Sequence, residues 1–305
     1  MWVEVIFMKT MDLHLHSCYS DDGEFAPSTL IQMGKEAGLT MMALTDHNSV
    51  QGVDEMIQAG KEVNIIVIPA TEIDCQYKGV NLHIVGYQIN HHDPRFEENE
   101  KNILQFENAI IQEKINLTEE HFQIKFTPED ISILTELPIL PGETIAKVLL
   151  KREDLLQHPL LLPYREGALR SDNPYVNFYW DYYSQGKPCY IHFEAMSAKE
   201  CIDLIHDTGG ISVIAHPGNN LKDHLHYLDE LKELGIDGVE VYSSYHTPEQ
   251  TQYFYQYTKE NALYMTLGSD FHGENKPTIH LGAYEGDELE LQKTKNYLLQ
   301  RCNSF

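Results

Sequence analysis

Short apolar runs recur along this chain, each closed by polar or turn residues and most followed by a stretch with helical spacing. Thr40–Thr45 (TMMALT), Asn64–Pro69 (NIIVIP), Asn81–Tyr87 (NLHIVGY), Gly210–Ala215 (GISVIA), Gly238–Tyr242 (GVEVY) and Ala262–Leu267 (ALYMTL) read as buried strands. Between them, Pro27–Ala37 opens on a proline and closes before Gly38, the start and stop signals of a helix. Ser197–Thr208 offers a serine cap with Glu200 three residues on, and Gly209 and Gly210 as terminators. Strand and helix in alternation predict an α/β fold of repeated β-α units around a largely parallel sheet. From about residue 96 to residue 187 the strand pattern lapses. Charged helical spacing takes over in Phe96–Glu119, and prolines and tyrosines accumulate after it. The expected organisation is one β/α domain in two halves, 8–95 and 188–286, with a mainly helical insertion, 96–187, capping the site. A C-terminal helix, 287–305, closes the chain.

Composition narrows the classes. With 305 residues and 42% hydrophobic content, the chain has ample material for a core. No apolar run approaches the roughly 20 residues needed to cross a bilayer. The Met1–Met8 segment (MWVEVIFM) is apolar but carries Glu4 and lacks a basic leader, so no signal peptide is expected, and Met8 is an alternative start. Five scattered cysteines show neither CxxC pairs nor regular spacing, which predicts a cytoplasmic protein without a disulfide framework. Acidic residues outnumber basic ones 47 to 22, a net charge of -25 that opposes binding to duplex nucleic acid. Sixteen histidines are the informative excess.

Their placement suggests chemistry. In Asp12-Leu13-His14-Leu15-His16-Ser17, strand alternation puts Asp12, His14 and His16 on one face, so two imidazoles can reach one metal. His47 in TDHN and Glu72 in ATE each follow an apolar strand, and His83 lies within another. His216 follows GISVIA, and Asp270 and His272 in GSDFH follow ALYMTL with the opening pair's spacing. Any one of these suits an ordinary structural role. Together with Asp21 they gather nitrogen and oxygen ligands at one rim of one sheet, where β/α folds build their active sites. So many ionisable groups in one place would cost several kcal/mol each without counter-charge, and divalent cations supply it. Imidazole and carboxylate without thiolate suit Zn, Mn or Fe.

These motifs resemble those of the PHP (polymerase and histidinol phosphatase) family: DLHLHS with Ser20-Asp21-Asp22-Gly23, then TDHNS, IAHPG at Ile214–Gly218, and GSDFHG at Gly268–Gly273. Glu72 and the HIVG of His83–Gly86 fall between. The match runs nearly end to end and is closest to the stand-alone members that act on nucleotides or short oligonucleotides. The resemblance implies a distorted, TIM-like seven-stranded β/α barrel holding two or three divalent ions. By motif, His14, His16, Glu72 and Asp270 would hold the first metal. Glu72 would bridge to a second, held also by His83 and His216, and Asp21, His47 and His272 would hold a third.

The expected activity is metal-dependent hydrolysis of phosphate esters on small substrates, with a hydroxide bridging the first two metals as nucleophile. His192 in CYIHF is a candidate leaving-group acid. Lys147, Arg165, Arg170 and Lys187 in the insertion are candidate phosphate contacts. Asn219, in Gly218-Asn219-Asn220, stands where nucleotide-acting relatives commonly carry an arginine after HPG, which puts recognition of a second, terminal phosphate in doubt. The alternatives are a histidinol-phosphate phosphatase, an exonuclease module, an amidohydrolase on a similar barrel, and a non-catalytic metal-binding domain.

Overall fold

The fold is taken from a computed structural model that describes residues 10–136, 138–284, 286 and 288–302. The Met1–Met8 segment and Asp287 lie outside them. The chain opens with β1 (Met11–Leu15), α1 (Pro27–Glu36), β2 (Met41–Leu44), α2 (Val53–Val63), β3 (Ile66–Tyr77) and β4 (Val80–Tyr87). Four helices follow: α3 (Pro94–Phe122), α4 (Pro128–Leu134), α5 (Gly142–Lys151) and α6 (Pro174–Tyr182). The chain returns through β5 (Met196–Ser197), α7 (Ala198–Asp207), β6 (Ile211–Ile214), α8 (Pro217–Asn220) and α9 (Tyr227–Leu234). It ends with β7 (Gly238–Ser243), α10 (Pro248–Glu260), β8 (Tyr264–Gly268) and α11 (Gln292–Cys302).

Seven strands pair in the order β1-β2-β3-β4-β6-β7-β8, with β5 alongside β3. The sheet nearly closes on itself. Beyond the strand ends, Leu15 bridges Phe271, the Asp270 N–H donates to the His14 carbonyl at 2.8 Å, and the His16 N–H donates to the Phe271 carbonyl at 2.9 Å. β1, β2, β6 and β7 are buried along their whole length, as strands covered on both faces must be, which is why they read as unbroken apolar runs. The expectation of a largely parallel sheet needs one amendment: β4 runs antiparallel to both β3 and β6. Lys78-Gly79 makes a tight turn with both residues at positive φ, and the hairpin it closes extends β3 to Tyr77. Glu72 therefore sits inside a strand rather than just after one.

Local signals hold where they were strongest. Pro27 begins α1, and Ser197 with Glu200 forms a reciprocal capping box at α7. The apolar core of the barrel fills from the strands and from α7, α9 and α10. The helices between β4 and β5 build a separate apolar cluster around Ile115, Phe122, Leu149 and Phe178.

Closure demands a glycine at the end of β8. A Cβ built on Gly268 would lie 2.1 Å from the His14 Cβ and 2.8 Å from the His14 backbone nitrogen, so the approach of β8 to β1 leaves no room for a methyl group. Gly268→Ala is expected to cost about 3 kcal/mol by forcing these strands apart. Thermal denaturation checks it, with a fall of about 5 °C or more in Tm expected for a domain of this size.

Candidate metal centre

At the carboxyl ends of β1, β2, β6 and β8, and midway along β3 and β4, the polar residues of the motifs converge on one carboxylate. Glu72 is fully buried. Its Oε2 lies 3.0 Å from His14 Nε2, 3.2 Å from His16 Nε2 and 3.6 Å from His47 Nδ1. Its Oε1 lies 3.1 Å from His83 Nδ1 and 3.0 Å from His216 Nε2. Five imidazoles thus surround one carboxyl group. Asp270 adds Oδ1 at 3.4 Å from His14 Nε2 and 3.1 Å from His16 Nε2. Two of these residues hold backbone conformations that L-residues avoid, His216 at φ 25° and Asp270 at φ 58°. Strain of this kind persists where surrounding structure imposes it, commonly at functional sites.

Three overlapping groups bring donor atoms within 4.8 Å of one another: His14, His16, Glu72 and Asp270; His47, Glu72 and His83; and His16, Asp22, His47 and His272. His216 joins through Glu72, its ring 5.2 Å from that of His83. Asp22, not Asp21, faces the third group, its Oδ2 3.1 Å from His272 Nε2. Asp21 is exposed at the cavity rim and makes no hydrogen bond or ion pair with the histidines. Two aspartates in one turn follow no periodicity, so spacing along the chain could not choose between them.

The electrostatics are those of a cation site. Burial would push the Glu72 carboxyl up, but His14, His47 and His83 hold it well below the carboxylate range. Burial opposes charge on His14, yet Glu72, Glu240 and Asp270 raise it well above the imidazole range. Burial and the facing His272 push His16 down to about 4. His16 Nε2, His47 Nδ1, His272 Nε2 and Asp74 Oδ1 are buried and make no hydrogen bond. Buried polar atoms without a hydrogen bond carry a desolvation cost unless something binds them, and a mixed set of imidazole nitrogens and carboxylate oxygens fits divalent cations.

Several residues that matter were absent from the candidates. Glu240, buried in mid-β7, accepts from the His14 Nδ1–H at 3.1 Å and from the His216 backbone N–H at 2.6 Å. A lone charge inside GVEVY was its signal. Asp74, two residues beyond Glu72 on the same strand face, sets Oδ1 3.5 Å from His47 Nδ1 and 3.4 Å from His83 Nε2. Lys276 is buried with Nζ 2.6 Å from Asp270 Oδ2. Asp12 accepts from the Ser269 hydroxyl at 2.6 Å, the Ser269 N–H at 3.0 Å and the Gly282 N–H at 2.7 Å, which ties β1 to the loop after β8. Asp46, pushed up by burial to about 7, accepts from the Ser17 hydroxyl at 2.7 Å and holds the turn after His16.

A cavity of about 230 Å³ opens above Asp22, His47, His83, His216 and Asp270, roofed by Glu143 of α5 and by Tyr179 and Trp180 of α6. The candidate phosphate contacts do not line it. Lys147 lies over the Tyr175 ring, Arg165 donates to the carbonyls of Leu150 and Leu155, and Arg170 pairs with Asp181. Lys187 is exposed and Asn219 packs within α8. His192 is exposed beside Tyr190, while its neighbours Ile191 and Phe193 face the cavity. The cations that do line it are Lys114 and Lys276.

The PHP domain family profile matches residues 12–137. A 5'-3' exoribonuclease from Haemophilus influenzae is 30% identical over 87% of this chain and 90% of its own. A 3',5'-nucleoside bisphosphate phosphatase from Chromobacterium violaceum is 25% identical over 91% of this chain and 92% of its own. Among solved structures, an amidohydrolase from Chromobacterium violaceum with bound sulfate superposes with a TM-score of 0.77 over 96% of both chains at 23% identity, a likeness of fold. Nearly full-length kinship to enzymes that cleave phosphate esters, joined to a carboxylate ringed by imidazoles in groups that could hold cations, places this chain in the PHP domain family as a metal-dependent phosphoesterase.

Proposed function

We propose that the chain hydrolyses the terminal phosphate ester of a nucleotide or short oligonucleotide, using two or three divalent ions of Mn, Fe or Zn. The observation that carries this reading is Glu72, one carboxylate in contact with five imidazoles at the floor of a small roofed cavity. His14, His16, Glu72 and Asp270 would hold one ion, Glu72, His83 and His216 a second, and Asp22, His47 and His272 a third. Bound cations lower the pKa of water towards about 7 and neutralise phosphoryl oxygens. The chain's own residues do the positioning. Asp74 sets its carboxylate beside His47 Nδ1 and His83 Nε2 at the cavity wall, and Glu240 orients His14. Lys276 places a buried ammonium beside Asp270, under the Tyr245 ring, where a phosphoryl group would arrive. Tyr179, Trp180 and Tyr245 wall off water, which strengthens every charge interaction inside.

A cavity of about 230 Å³ admits a nucleotide end and not a duplex, and a net charge of -25 opposes duplex binding as well. No helix among the described residues is long and apolar enough to cross a membrane, and the described cysteines are free thiols, as a cytoplasmic setting would keep them.

The test is phosphate or nucleotide release from a panel of nucleoside monophosphates, 3',5'-bisphosphates, short 5'-phosphorylated oligonucleotides and histidinol phosphate. Chelation of the metals is expected to remove activity at least about 10³-fold, with recovery on adding Mn. Bound metal without release from any ester would sink the reading.

A further inference from the structure

A second meeting of imidazoles with a carboxylate lies on the surface, outside the metal centre. Asp54 stands in the first turn of α2, and His91 and His92 occupy a turn between β4 and α3. His91 Nε2 lies 2.9 Å from Asp54 Oδ1. His92 Nε2 lies 3.7 Å from the same oxygen, too far for a hydrogen bond. The two rings lie side by side, their centroids 4.1 Å apart, and the three residues offer donor atoms within 4.8 Å of one another. Tetrahedral zinc, with ligand bonds of about 2.0–2.1 Å, sets neighbouring donor atoms about 3.3 Å apart. The two contacts to Asp54 bracket that spacing.

The turn is fixed from its far side. The Asp93 N–H donates to the Asn90 carbonyl at 3.0 Å, which leaves His91 and His92 as its central residues, and the Asn90 N–H donates to the Thr208 carbonyl at 2.9 Å. Arg95 pairs with Asp93 and Asp207 at 2.9 Å each, so its charge is taken up there and not by Asp54. Ligands held in place before binding lose little freedom when the ion arrives. An ion pair accounts for His91 alone. Exposed pairs of that kind contribute little, and the pair leaves the second imidazole unexplained. Protonated, His92 would press a like charge against His91; neutral, it brings a further lone pair to the same point. Two imidazoles and a carboxylate are a set that zinc takes with water in the fourth position, and imidazole favours zinc over manganese.

We infer that Asp54, His91 and His92 form a zinc site of their own, separate from the metal centre, with water completing the coordination. The ion fastens the start of α2 to the turn that leads into α3, at the root of the helical insertion. It is a clamp and not a reaction centre. None of its three residues lines the cavity over Glu72, and the site stands whether or not the proposed reaction does.

The experiment is equilibrium dialysis of the purified protein against a range of free zinc, with zinc per chain counted by elemental analysis, in wild type, His92→Ala and Asp54→Asn. His92→Ala leaves the His91–Asp54 contact in place, so its folding is not at stake. Wild type is expected to bind one zinc ion per chain that His92→Ala binds at least about 10²-fold more weakly. Asp54→Asn, which sets a neutral amide oxygen where a charged ligand stood, should weaken the same ion at least about tenfold. Hydrogen exchange locates it. Zinc should slow the backbone amides of residues 91–93 by about tenfold or more in wild type and leave them unchanged in His92→Ala. Matching zinc isotherms for wild type and His92→Ala would overturn the inference and leave Asp54 and His91 a surface ion pair. Exchange at this turn indifferent to zinc in wild type would overturn it as well.

Discussion

Glu72→Gln is expected to lower kcat/KM by at least about 10³-fold and to leave at least one metal ion fewer per chain, although the side chain keeps its shape. The barrier equivalent is about 4 kcal/mol at 1.36 kcal/mol per tenfold. The size follows from geometry. Oε1 and Oε2 face different sets of imidazoles, His83 and His216 on one side and His14, His16 and His47 on the other, so Glu72 is shared between the donor groups that would hold separate ions. Its negative charge also offsets cationic imidazoles or metals from the centre of the cluster, where no water reaches it. An amide presents one acceptor and one donor where two anionic acceptors stood, and the donor points at ring nitrogens that have to stay open for metal. Asp270 contributes fewer contacts and has Lys276 as an alternative partner, so its loss should be the milder of the two. The measurement pairs elemental analysis of the purified variant with phosphate release. Wild-type metal content with activity within tenfold of wild type would show that Glu72 is a structural acid and that the ions sit elsewhere.

Much of this centre was legible because its residues occupy positions that strand periodicity defines. His14 and His16 alternate on one face of β1 and the turn beyond it, and His47, His216, Asp270 and His272 each follow a buried apolar run. The end of a strand in a β/α fold is a place with a function, so a polar residue there carries meaning. The failures have the same origin. Asp22 and Asp21 lie in a turn with no period to separate them, and only the distance to His272 does so. In the insertion, helical spacing shows which face packs on Phe122 and Leu149 but not which end looks towards the barrel. Charge alone therefore marks the lysines and arginines there. Arg165 proves to satisfy carbonyls at 3.0 Å and Arg170 an aspartate at 3.0 Å, while Glu143, an acid in the same helices, faces the cavity. Glu240 is hidden for another reason: a charge in mid-strand announces a partner, and that partner, His14, lies 226 residues away.

That partnership yields the second large effect. Glu240→Gln is expected to weaken metal binding by about 10- to 100-fold while leaving most of the activity recoverable at high metal concentration. In the native chain the His14 Nδ1–H donates to Oε1 of Glu240, which points Nε2 at Glu72 Oε2 and Asp270, so a bound cation would displace the proton from Nε2 and find its lone pair already aimed. The other oxygen, Oε2, accepts from the His216 N–H at 2.6 Å, so both sides of the carboxylate are acceptors in use. Glutamine cannot reproduce this. With its oxygen on His216, its NH2 meets His14 Nδ1 and demands a lone pair there, which moves the imidazole proton to Nε2 and closes the nitrogen that would bind metal. With its oxygen on His14, its NH2 opposes the His216 N–H, and a buried donor loses its acceptor beside a backbone already at φ 25°. Either way His14 or His216 is mispositioned, while Glu72 and Asp270 remain to hold the ion. Competition against a chelating dye gives the Kd for Mn, and activity followed against metal concentration should shift along the concentration axis with its plateau largely kept. A curve superimposable on wild type would show that Glu240 only fills space. A lowered plateau with unchanged midpoint would show that it acts on the reaction rather than on the ligand it orients.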